Sequence, residues 1–60
     1  MPHVTIQWVA GRTEEQRRAI CDGIAEVFWL RAKIPHNETV VLFEDIEEDH
    51  WFEGIPNIKR

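Results

Sequence analysis

The group with the most chemical promise stands at the head of the chain, Met1-Pro2. A small second residue permits removal of an initiator methionine, and removal leaves Pro2 with a secondary amine held rigid by its ring. An α-amino group titrates near pH ~7.7–8.0 in unstructured peptides, and desolvation or a neighbouring cation lowers that value. Such an amine can serve as a general base near neutrality, and its conjugate acid as a general acid. While Met1 remains attached, the same nitrogen lies in an amide and has no basicity.

Other reactive side chains give no recognisable chemistry. The sequence has no G-x-S-x-G and no H-E-x-x-H, and Gly11, Gly23 and Gly54 are too far apart to form a phosphate loop. The run Glu44-Asp45-Ile46-Glu47-Glu48-Asp49 carries carboxylates without a turn glycine, which makes it a solvated acidic stretch and not a calcium loop. His3, His36, His50 and Cys21 are scattered, so no metal site is expected. Cys21 is expected to be a small buried hydrophobe rather than a nucleophile.

Size and charge narrow the partners. A chain of 60 residues and 7.1 kDa has a compact folded surface of roughly 4,100 Å² against roughly 10,300 Å² unfolded, enough for one small and marginal domain, residues 1–60. One cysteine cannot make a disulfide framework, so self-association is the remaining stabiliser. Seven Lys and Arg against eleven Asp and Glu give a net charge of −4, the wrong sign for a nucleic-acid backbone. No apolar run approaches a signal peptide or a membrane span, so no membrane association is expected and the location is expected to be cytoplasmic.

The elements that must position Pro2 can be read from hydrophobic spacing. His3 to Val9 alternates, with Val4, Ile6 and Trp8 on one side, as a strand with one apolar face does. Ala10-Gly11-Arg12 breaks the alternation, and Thr13 with Gln16 has capping-box spacing, so a helix starts near Thr13 and ends before Pro35. Ile20, Cys21, Ile24, Val27 and Phe28 form its core arc, leaving Trp29 and Leu30 on the flanks. Thr39 to Ile46 is a second strand, apolar at successive positions Val40 to Phe43, so both its faces need cover. The helix can cover one; a second copy of the sheet is the natural cover for the other. With a helix between them the strands should be parallel, which makes the fold class α+β, a β-α-β unit with a short C-terminal tail.

Met1-Pro2-His3-Val4-Thr5-Ile6-Gln7, the helix opening Gly11-Arg12-Thr13-Glu14-Glu15-Gln16, Pro35, the strand Val40-Val41-Leu42-Phe43-Glu44-Asp45 and Trp51 occur in an order and spacing that resemble the 4-oxalocrotonate tautomerase family. The tail from His50 to Ile58 is similar to that of one group of small tautomerases. The resemblance implies a β-α-β fold assembled into dimers or hexamers with sites near subunit contacts, and no cofactor. It implies that processed Pro2 moves a proton between oxygen and carbon of a small 2-hydroxydienoate or enol-pyruvate-type acid. Arg12 matches the family's carboxylate-binding arginine, a role suited to a bidentate guanidinium. Trp51 stands where the family has an aromatic wall of the pocket.

One position departs from that pattern. Well-characterised members carry a second arginine on the second strand, and the matching residue here is Val40. Loss of an electrostatic donor can cost ~10²-fold or more; the group of small tautomerases with the similar tail also lacks that arginine, and the resemblance to it implies monoacid substrates of the phenylenolpyruvate type. Two alternatives accompany the tautomerase expectation. One keeps the fold with dehalogenase or decarboxylase chemistry, for which Glu44 and Asp45 are the nearby carboxylates. The other is a non-catalytic subunit of a tautomerase-like oligomer.

Overall fold

The computed structural model describes residues 1–54; the tail from Ile55 to Arg60, with its expected family-like ending, lies outside the described residues. Strand β1 (His3–Val9), helix α1 (Glu14–Ala32) and strand β2 (Val40–Ile46) follow in order. Single 3-10 turns at His36–Glu38 and Glu48–His50 flank β2. The strands pair in parallel, His3 opposite Val40 through Val9 opposite Ile46. Hydrogen bonds from Val40 N to the Pro2 carbonyl (3.1 Å) and from Ala10 N to the Ile46 carbonyl (2.9 Å) extend the ladder at both ends.

Each boundary has a local cause. Gly11 adopts φ 130°, a conformation open to glycine and not to residues with a Cβ, and this turns the chain out of β1. Thr13 then caps α1 reciprocally with Gln16: Thr13 Oγ1 accepts from Gln16 N at 3.0 Å, and Gln16 Oε1 accepts from Thr13 N at 2.9 Å. At the other end Lys33 takes a left-handed conformation, φ 60°, and its N–H bonds to the Trp29 carbonyl, two residues before Pro35.

Four expectations need correction. Val27 is 56% exposed and Ala25 is buried, so the inward stripe is rotated towards Arg17, Cys21 and Ala25, where a small side chain lets the helix approach the strands. Cys21 is half-buried rather than buried, bordering an open hollow with Arg17, Arg18, Val41 and Phe43. The acidic stretch is not a plain loop, because Glu48–His50 forms a 3-10 turn. Thr39 precedes β2 and does not begin it, closing the His36–Glu38 turn through its N–H.

One sheet face is left open. Val4, Ile6, Trp8, Val41 and Phe43 are half-buried on the helix side, whereas Leu42 is 50% exposed and Val40 38% exposed on the other. Among the described residues nothing covers this second face of β2, as the Val40–Phe43 run predicts.

Candidate active site

Parallel pairing sends both strands the same way, so the sheet has two distinct ends. Pro2 sits at the first. It is half-buried, its carbonyl is tied to Val40 N, and the preceding Met1 is 88% exposed. Arg12 and Trp51 follow the opposite ends of β1 and β2. Seven residue steps separate Pro2 from Val9, about 23 Å at ~3.3 Å per residue.

Arg12 is held on the helix side of its end. Its guanidinium carbon lies over the Trp8 ring, 5.3 Å from the centroid, and its carbonyl accepts a 2.8 Å hydrogen bond from Arg17 Nη1. Trp8 is itself fixed: Nε1 donates to Asp45 Oδ1 at 2.8 Å, and the ring stacks on Phe43 at 5.1 Å between centroids. Asp45 Oδ2 faces Arg17 Nη1 at 3.9 Å, which closes a circuit back to Arg12.

Trp51 lies on a different face. It borders a hollow with Val9, Glu48 and Glu53, and Val9, next to Trp8 in the strand, points to the side away from the helix. Its backbone N–H closes the turn onto the Glu48 carbonyl at 3.1 Å, and its Nε1 donates to Glu53 Oε2 at 3.2 Å. The ring is 40% exposed. Among the described residues no hydrogen bond or ring contact joins any two of Pro2, Arg12 and Trp51 within one chain.

The two carboxylates weighed for hydrolytic chemistry are already engaged. Glu44 accepts a hydrogen bond from Gln7 on the open face, and Asp45 serves Trp8 and Arg17. Among the described residues no three His, Cys, Asp or Glu side chains gather as a metal site. Sequence reasoning missed Trp8 as the neighbour of Arg12 and Asp45 as the partner of Trp8. Their types gave no signal; only the register, which pairs Trp8 with Asp45, could have found them.

These features make the chain a small parallel β-α-β protein with a proline at the head of its first strand and an arginine just beyond that strand's end. The chain belongs to the tautomerase family, described as tautomerase enzyme, which matches residues 2–54, and it is accordingly an isomerase. A probable tautomerase of Bacillus cereus is 32% identical over 54 residues, 90% of this chain and 88% of that relative. The 2-hydroxymuconate tautomerase of Bacillus subtilis is 31% identical over 51 residues, covering 85% and 82% of the two chains. Among solved structures, an apo unfused 4-OT superposes with a TM-score of 0.81 at 31% identity, over 90% of this chain and 88% of that one. A 4-oxalocrotonate tautomerase isozyme from Methylibium petroleiphilum gives 0.80 at 28% identity, over 88% and 86%. A structure from work on trans-3-chloroacrylic acid dehalogenase activity, 23% identical, shares the fold at a TM-score of 0.78.

Proposed function

We propose that this protein is a cofactor-independent keto–enol tautomerase of small 2-oxo or 2-hydroxy acids, the whole chain acting as one domain. Pro2, freed of Met1, is the proton carrier. Its neutral amine takes a proton from the substrate's enol oxygen, and the ammonium so formed delivers a proton to carbon, leaving the amine neutral again. Arg12 holds the substrate carboxylate through its N–H fork, and Trp51 supplies an apolar wall.

The observation that carries this reading is the setting of Pro2. Its carbonyl is committed to Val40 N while Met1 is 88% exposed. Removing Met1 therefore costs the fold little and leaves the amine at the rim of the sheet. The separation of Pro2 from Arg12 and Trp51 favours a site shared between protomers, and the exposed Val40 and Leu42 offer the surface on which a second copy would pack. We read the working enzyme as a homo-oligomer, a dimer or hexamer, for that reason.

Val40 leaves no guanidinium at its position, and Glu48 and Glu53 beside Trp51 add negative charge near the aromatic wall. A substrate with a single carboxylate and an apolar remainder, of the phenylenolpyruvate type, suits these surroundings better than a dicarboxylate. Engagement of Glu44 and Asp45 in hydrogen bonds argues against water activation, so the dehalogenase alternative gains no support from the geometry.

The test is intact mass followed by ultraviolet assay of phenylenolpyruvate ketonisation on the same sample, with Pro2→Ala as control. Turnover that needs both the loss of Met1 and the presence of Pro2 supports the reading. Protein lacking Met1 that does no better than Pro2→Ala overturns it and points to a different reaction or to a non-catalytic subunit.

A further inference from the structure

We propose that Trp8 and Asp45 are positioning residues for Arg12, holding its guanidinium over the indole so that the N–H fork is presented to a substrate carboxylate. This inference rests on the reading of Arg12 as the carboxylate-binding group and extends it to two residues that touch no substrate.

The geometry uses the two aspects of a guanidinium separately. A cation over an aromatic ring interacts through its face, whereas a carboxylate is bound by N–H groups in its plane. Arg12, 5.3 Å from the Trp8 centroid, can therefore rest on the indole and still bind an acid bidentately. An exposed arginine without such a platform loses more side-chain freedom on binding.

A platform helps only if it is itself fixed, and three contacts fix this one. Phe43 stacks beneath the indole. Asp45 accepts the Nε1 hydrogen bond, which sets the ring's rotation about its long axis. Arg17 faces Asp45 and also donates to the Arg12 carbonyl, so backbone and side chain of Arg12 are tied to one group of residues. Gly11, φ 130°, makes the turn between Trp8 in β1 and Arg12, whose guanidinium lies over the indole.

The experiment measures KM and kcat for phenylenolpyruvate in Trp8→Leu, Trp8→Phe, Asp45→Ala, Asp45→Asn, the double variant Trp8→Phe/Asp45→Ala, and Arg12→Ala. Trp8→Leu should raise KM by roughly two- to fivefold with kcat nearly unchanged, the range a half-exposed cation–ring contact supports. Asp45→Asn, whose amide oxygen still accepts from the indole, should restore most of what Asp45→Ala loses. Trp8→Phe and Asp45→Ala delete the same hydrogen bond, and Asp45→Ala also removes the pairing with Arg17, so the losses in the double variant should be clearly less than additive.

A fall in kcat with KM unchanged, or additive losses in the double variant, would overturn the inference. Circular dichroism and gel filtration check that each variant folds and assembles, and if Trp8→Leu does not, the Trp8→Phe/Asp45→Ala cycle decides alone. An Arg12→Ala enzyme with raised KM beside an unaffected Trp8→Leu enzyme sinks only the positioning role. Unchanged KM in Arg12→Ala sinks the carboxylate-binding reading and this inference together.

Discussion

The indole of Trp8 donates a 2.8 Å hydrogen bond to Asp45, its register partner across the parallel ladder. A slip of one residue would set Trp8 opposite Glu44 or Ile46, whose side chains point to the other face. The bond thus reports the register that also places Val40 level with His3. Asp45→Ala should lower stability by about 1 kcal/mol, less than a buried charged hydrogen bond because the carboxylate is 44% exposed. Urea unfolding at one fixed protein concentration would measure it, since any self-association makes stability concentration-dependent.

Pro2→Ala keeps a terminal amine yet loses the ring that fixes it and makes the amine secondary. Activity on phenylenolpyruvate should fall by at least about tenfold, within the range general-base groups contribute. The wild-type kcat/KM should decline on acidification as the amine becomes protonated, because an ammonium cannot accept the enol proton. A flat acidic limb would count against the amine as base.

Arg12→Lys preserves charge and removes the planar fork. The lysine variant should recover only part of the affinity lost in Arg12→Ala, because a point charge cannot reproduce two parallel N–H bonds. Steady-state KM for the two variants, measured side by side, checks this; full recovery by lysine would reduce the role to bulk charge.

Leu42 is 50% exposed at the centre of the open sheet face. Leu42→Glu should leave the single chain's helix intact but shift the protein to smaller species in sedimentation velocity, and activity should fall with assembly if the site is shared. A monomer that retains full turnover would refute the shared site.

The reciprocal cap between Thr13 and Gln16 fixes the helix start one residue after Arg12. Thr13→Ala should cost roughly 1 kcal/mol, read as a lower urea midpoint.

Much of this protein is determined by its sequence alone, because the deciding forces are local. Alternation fixes β1 at His3–Val9, Thr13 and Gln16 fix the helix start, and the apolar run Val40 to Phe43 announces a strand needing cover on both faces. Pro2 is conspicuous by its place at the head of the chain, and Arg12 by the resemblance to the family. The tertiary structure decided what local forces do not reach. Packing against the strands rotated the helix stripe to bury Ala25 and expose Val27. Parallel register brought Trp8 and Asp45 together although 37 residues separate them. The directions of the two strands set Pro2 at one end of the sheet and Arg12 and Trp51 at the other, on opposite faces. Hydrophobic spacing records which side of an element is buried, whereas the partner met across a sheet depends on how distant segments align, and only the folded chain fixes that alignment.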